Sequence, residues 1–80
     1  MSNLILYHMA SCPYCAKVRR FMEQNNISIS LKDTAANSNV REELRKIGGK
    51  AQVPCLVIDG RAMYESNDII DWLKTNYLGK

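Results

Sequence analysis

Ser11-Cys12-Pro13-Tyr14-Cys15 stands between two stretches of different period. Before it runs Leu4-Ile5-Leu6-Tyr7, a short apolar stretch rich in strand formers, and after it Cys15, Val18, Phe21 and Met22 recur at helical spacing. A strand therefore ends and a helix begins at this motif. Pro13 suits the first helical position, where its missing N–H costs nothing and its fixed φ fits the turn. Cys12 then occupies the cap, its sulfur facing free N–H groups and the positive end of the helix dipole. A thiolate there is stabilised, which lowers the pKa below that of a free cysteine, about 8.5. Cys15 lies one turn later and faces back, within disulfide reach of Cys12. The stretch reads as a redox centre.

Eighty residues allow one domain, here residues 1–80, with a modest core. An apolar fraction of 46% and a charged fraction of 24% are those of an ordinary globular chain. No apolar run approaches a membrane span and no signal-peptide pattern precedes the first strand, so neither a membrane role nor export is expected. Three cysteines make a poor disulfide framework, and a cytoplasmic dithiol is the better reading. The net charge of +3 is mild and scattered. Lys17, Arg19 and Arg20 read as a solvated helix face, which argues against a nucleic-acid partner. A small positive excess still helps attract an anionic small substrate.

In chain order, the first strand is expected over about Asn3 to His8, and the first helix from Pro13 to Gln24 with a left-handed exit at Asn25-Asn26. Ile27-Ser28-Ile29-Ser30-Leu31 alternates with period two and predicts a half-buried strand, completing a right-handed βαβ unit. Asn39 and Glu42 have the spacing of a capping box. The helix they open has an apolar stripe of Val40, Leu44 and Ile47, a charged side of Arg41, Glu43, Arg45 and Lys46 facing water, and a stop at Gly48-Gly49. Cys55-Leu56-Val57-Ile58 reads as a buried strand, and Asp59-Gly60 is a type I′ hairpin signal that returns Arg61 to Tyr64 beside it. A last helix starts near Glu65-Ser66-Asn67 with Ser66 as its cap, buries Ile69, Ile70, Leu73 and Tyr77, and ends at Gly79.

A CxxC beside a βαβ pattern reads as a redox motif of the thioredoxin type. Val53-Pro54 precedes the third strand, where a proline inside a sheet needs a reason. A cis Val53–Pro54 bond supplies one by turning the Val53 backbone outward toward Cys12, where its N–H and C=O can pair with a peptide-like substrate. An ordinary trans proline at a sheet edge is the other reading.

Cys12-Pro13-Tyr14-Cys15, Val53-Pro54 and the βαβαββα order together resemble a glutaredoxin over essentially the whole chain. Gln52-Val53-Pro54 and Glu65-Ser66 are also similar to the glutathione site in the N-terminal domain of glutathione transferases; their second, all-helical domain is not expected here. The resemblance implies an α/β thioredoxin fold, a four-stranded mixed sheet flanked by three helices. It also implies a glutathione-dependent thiol–disulfide oxidoreductase with Cys12 as nucleophile and Cys15 as resolving thiol. The partners implied are glutathione, as reductant and co-substrate, and glutathionylated or disulfide-bonded proteins. A monomer without a bound metal is expected.

The same resemblance implies a glutathione site. Val53, beside Pro54, would pair through its backbone with the cysteine part. Glu65 and Ser66 would hold the amino group and the carboxylate of the γ-glutamyl end, with Asn67 or Asp68 assisting. Lys50 and Gln52 would meet the glycine carboxylate, with Arg41 a weaker candidate, and Tyr14 would lie beside the bound sulfur. Each has a plainer reading: Glu65-Ser66 and Asn67-Asp68 as an ordinary helix start, Lys50 and Gln52 as exposed loop residues. Convergence on one small molecule favours the site.

The chain departs from the glutaredoxin pattern in three places. Met9 stands where many members carry a lysine three residues before the first cysteine, which leaves the low Cys12 pKa to the helix terminus. Tyr64-Glu65 replaces a common glycine pair. Cys55 follows the proline, and reads as a small buried strand residue rather than an extra redox thiol. A zinc set of His8, Cys12, Cys15 and Cys55 is a minor alternative. Two other functions stand as alternatives: a glutathione-ligated [2Fe–2S] cluster-binding glutaredoxin, and a glutathione transferase-like conjugating enzyme.

Overall fold

The computed structural model of the chain describes residues 3–78. In chain order they form β1 (Leu4–His8), α1 (Pro13–Gln24), β2 (Ser30–Asp33), α2 (Ser38–Gly48), β3 (Cys55–Ile58), β4 (Arg61–Met63) and α3 (Ser66–Leu73), which continues into a π-helical turn at Lys74–Leu78. The strands make one sheet in the order β2-β1-β3-β4. β1 pairs parallel with β2 and antiparallel with β3, and β3 pairs antiparallel with β4. This is the expected βαβαββα thioredoxin-like fold with a four-stranded mixed sheet. The end of α3 expected at Gly79 lies outside the described residues.

Alternation along the two central strands divides the core. Leu6 and its cross-strand partner Leu56 face α1 and α3, packing with Val18, Met22, Ile27, Ile69 and Leu73. Tyr7 and its partner Cys55, with Val57, face the other way and pack with Leu44 of α2. Leu6, Leu44, Leu56 and Leu73 are wholly buried, each stabilising the fold by about 1.5–3 kcal/mol. Two helices thus cover one face and one helix the other. Trp72 packs at the edge of the first cluster.

Turn chemistry holds where a positive φ is required. Asn26 leaves α1 at φ 55°, Gly49 ends α2 at φ 86° with its N–H on the Arg45 carbonyl, and Asp59 and Gly60 turn the β3–β4 hairpin at φ 50° and 87°. The Asp59 side chain also accepts from the Asn3 N–H at 2.7 Å, fastening the hairpin to the start of the chain.

Five local expectations are corrected. The second strand runs Ser30–Asp33 rather than Ile27–Leu31, because parallel pairing sets Ile5 opposite Ser30; as an edge strand, β2 leaves Leu31 47% exposed. The cap of α2 is Asn37, whose side chain accepts from the Asn39 N–H at 2.8 Å, so the helix starts before Asn39. Ile47 is exposed rather than buried, and Glu43, its side chain still 42% exposed, accepts hydrogen bonds from the Tyr7 hydroxyl and, at 2.7 Å, from Lys32. Burial and Glu43 together push the Tyr7 pKa up, and the hydrogen bonds from Lys32 and Tyr7 hold Glu43 below the usual carboxylate range. Glu65 caps α3 with no side-chain bond to the helix, so Ser66 is the first helical residue rather than the cap. Tyr77 is exposed, because the widening into a π turn after Leu73 takes it off the buried face.

Candidate active site

Cys12 sits at the cap of α1 in extended conformation, with Pro13 as the first helical residue. It is half-buried, whereas Cys15 is fully buried, and all three cysteines carry free thiols. Met9 contacts both cysteines of the motif: its carbonyl accepts the Cys12 backbone N–H at 3.1 Å and its N–H points at Cys15 Sγ at 3.5 Å. Burial opposes a Cys12 thiolate, but hydrogen bonds from the Cys15 backbone and thiol and the Tyr14 backbone, together with the Arg19 charge, outweigh it and lower the pKa. The Cys15 pKa rises to about 11, through burial first and then through its hydrogen bond to Cys12. The pair is chemically asymmetric: a nucleophile at the surface and a protonated thiol beneath it.

A cavity of about 280 Å³ adjoins the motif. It is lined by Tyr14 and Lys17 of α1, by Gln52, Val53 and Pro54 before β3, and by Tyr64, Glu65, Ser66 and Asn67 at the start of α3. Neither cysteine of the motif lines it; Tyr14, 66% exposed, forms the wall next to them. The Val53–Pro54 peptide is cis, and Pro54 is buried at the entry to β3. The first N–H groups of α3 open on this side without a side-chain cap, which suits an anionic group.

Of the residues named from the resemblance, the structure brings Tyr14, Gln52, Val53, Pro54, Glu65, Ser66 and Asn67 together around this cavity. Lys50 is elsewhere. Its ammonium lies 4.6 Å from the centroid of the Tyr64 ring, and its carbonyl accepts the Tyr64 hydroxyl at 2.9 Å. Asp68 and Arg41 are exposed and do not line the cavity.

Sequence reasoning missed Lys17, Tyr64 and Arg19 as parts of the site. Lys17 donates to Asn67 Oδ1 at 2.6 Å and joins the cavity wall. Its i,i+3 spacing from Tyr14 was the available signal. Arg19 approaches through contacts that no local pattern encodes. Its guanidinium donates to His8 Nδ1 at 2.7 Å and to the Met9 carbonyl at 3.3 Å.

Among the described residues no group of three or more His, Cys, Asp or Glu side chains is arranged to hold a metal ion. The zinc set read from His8, Cys12, Cys15 and Cys55 is not assembled. Cys55 packs with Tyr7 and Leu44 beneath α2, on the other face of the sheet from Val18 and Met22 of α1, and the Nδ1 of His8 is engaged by Arg19. Burial raises the Cys55 thiol to about 11. Among the described residues no helix is long and apolar enough to cross a membrane.

Residues 6–80 match the family model of the glutathione S-transferase N-terminal domain. The chain belongs to that family, and along its whole length it is similar to glutaredoxins. It is 29% identical over 85 residues to glutaredoxin 1 of Rickettsia prowazekii (strain Madrid E), covering all of this chain and 86% of that one. The holo form of glutaredoxin C1 from Populus tremula x tremuloides superposes with a TM-score of 0.71 at 19% identity, over 95% of this chain and 78% of that one, a likeness of fold. Glutathione transferase Omega 3C from Trametes versicolor matches at 26% identity and a TM-score of 0.81, over 95% of this chain and 34% of that one. The protein is a glutaredoxin-like thiol–disulfide oxidoreductase.

Proposed function

We propose that this protein uses glutathione to reduce glutathione mixed disulfides and protein disulfides through a Cys12/Cys15 dithiol. The observation that carries the reading is the opposed pair of thiols, Cys12 lowered and Cys15 raised to about 11, beside a peptide-sized cavity. On a glutathionylated protein, the Cys12 thiolate attacks the glutathione sulfur. The Cys12–glutathione bond forms, the old S–S bond breaks, and the protein thiolate leaves and takes up a proton. A second glutathione thiolate attacks the bound glutathione sulfur, which releases oxidised glutathione and returns Cys12 as thiolate.

On a protein disulfide, Cys12 forms a mixed disulfide with one substrate sulfur. Cys15 then loses its proton and attacks the Cys12 sulfur, closing the Cys12–Cys15 bond and freeing the substrate thiol. Two glutathiones reduce that bond. Because Cys15 is buried and protonated, it waits until Cys12 is already a mixed disulfide.

Glutathione would lie with its cysteine part along the Val53 backbone beside Pro54, and its γ-glutamyl carboxylate at Ser66 and the opening turn of α3. Glu65 would meet the amino group, Gln52 the glycine end, and Tyr14 the sulfur. Lys17 and Asn67 support the same end of the cavity as Ser66. The reaction suits a monomer in a reducing compartment, the cytoplasm, and asks for no metal. The test compares one peptide carrying either glutathione or free cysteine in mixed disulfide. At least about tenfold faster turnover of the glutathionylated form is expected, and equal rates would refute the glutathione site.

A further inference from the structure

We propose that Arg19 is a positioning residue for the nucleophile: anchored by His8 and the Met9–Ala10 turn, its charge takes the place of the lysine absent at Met9. The geometry is specific. Arg19 reaches from the second turn of α1 back over the start of its own helix. One guanidinium nitrogen donates to His8 Nδ1 at 2.7 Å and to the Met9 carbonyl at 3.3 Å, and the other to the Ala10 carbonyl at 3.5 Å. The Met9 carbonyl is the same acceptor that takes the Cys12 N–H. Arg19 and Cys12 therefore share one peptide group.

Guanidinium has five donors and no acceptor, so His8 must present an unprotonated Nδ1 to this contact. His8 meets that condition, because burial and then the Arg19 charge lower its pKa, with Asp33 opposing. A fork held at three acceptors loses less freedom than a lone lysine would and keeps its charge at a fixed distance from the thiol. Arg19 also depresses Cys15, but there burial dominates and the thiol stays protonated.

The remaining charges near the centre do not duplicate the role. Lys17 of α1 is turned to Asn67 of α3, and Lys50 lies over Tyr64. Asp33 of β2 stands opposite His8 in the parallel register, and Glu65 of α3 lines the cavity on the far side of Tyr14. Neither carboxylate can stabilise a thiolate. Arg19 is the cation that the fold directs onto the Met9 turn.

This inference concerns the thiol and stands whether or not glutathione is the reductant. Its test is the pH profile of Cys12 alkylation by iodoacetamide, located by peptide mass spectrometry, in the reduced wild type, Arg19→Met and Arg19→Lys. Thermal unfolding of each variant reports folding separately. Arg19→Met is expected to move the midpoint up by about half a pH unit, lowering the rate at pH 6 about threefold while leaving the high-pH plateau unchanged. Arg19→Lys, which keeps the charge and loses the fork, is expected to fall between the two. His8→Phe, which removes one anchor, should give a smaller rise than Arg19→Met. An unmoved midpoint in folded Arg19→Met overturns the inference, and so does an equal rise in Arg19→Met and Arg19→Lys, which would assign the effect to packing.

Discussion

Lys17 Nζ donates to Asn67 Oδ1 across 2.6 Å, joining the second turn of α1 to the first turn of α3 over the cavity beside the dithiol. The contact holds a cation at the edge of the uncapped start of α3. In the proposed glutathione site, cation and helix terminus would converge on one anionic group of the substrate. Lys17→Met should therefore raise the KM for glutathione about three- to tenfold with little change in kcat. Its effect on stability should stay within about 0.5 kcal/mol, because the pair is exposed. Steady-state kinetics with glutathione varied, at low and high salt, would check this. The wild-type KM should rise with salt and approach that of the variant.

Tyr64 forms the opposite side of the cavity, and Gly48 makes room for it. A Cβ on Gly48 would fall 1.8 Å from the Tyr64 hydroxyl oxygen and 2.9 Å from the Ala62 Cβ. Replacing a helical glycine by alanine ordinarily gains about 0.5–1 kcal/mol, whereas overpacking costs about 1–3 kcal/mol. The clash should win. Gly48→Ala is expected to lower the urea midpoint and, by displacing Tyr64 from the Lys50 carbonyl, to raise KM for glutathionylated peptide. In a Tyr64→Leu background most of the stability penalty should vanish, a coupling that a double-mutant cycle would measure.

Cys55 lies buried between Tyr7 and Val57 under α2. It is a packing residue. Cys55→Ser places a hydroxyl in that apolar contact and should cost about 1–3 kcal/mol while changing turnover less than about twofold. Loss of turnover in a fully folded Cys55→Ser would point to a third redox thiol.

The buried thiols also fix a pH dependence of stability. Cys15 and Cys55 each rise from 9.0 to about 11 on folding, both chiefly through burial. Between these values the unfolded chain releases protons that the folded chain keeps. Stability present below pH 9 is therefore lost as pH rises toward 11. Burial and Glu43 give Tyr7 the same sign at higher pH. Urea midpoints across this range should fall for the wild type and fall less steeply for a Cys15→Ser/Cys55→Ser variant.

Much of this was legible in the chain because the deciding cues are local. Pro13 after Cys12 placed the helix start, Asn26 and Gly49 placed helix exits, and Asp59-Gly60 placed the hairpin, each through a backbone conformation that few residues tolerate. The misreadings share another cause. Ile27 and Ile29 alternate because they pack against the first core cluster, but the ladder with β1 begins only at Ser30, and periodicity reports burial rather than pairing. Asn39 with Glu42 has capping-box spacing, yet the helix is capped two residues earlier, where the Asn37 side chain accepts from the Asn39 N–H. Glu43 and Arg19 look like solvated helix charges until the fold brings Tyr7 and Lys32 to one and His8 to the other. Lys50 packs on the Tyr64 ring instead of lining the cavity directly, a contact that no local pattern encodes.

The most direct test of the account is reduction of a glutathionylated peptide by glutathione, measured for wild type, Cys12→Ser and Cys15→Ser. The account predicts that Cys12→Ser is inactive, with turnover reduced by at least about a hundredfold, because it removes the only low-pKa thiol. Cys15→Ser should retain turnover on this substrate yet fail on a protein disulfide that needs resolving. An active Cys12→Ser, or a Cys15→Ser inactive on the glutathionylated peptide, would contradict the division of labour between the two thiols.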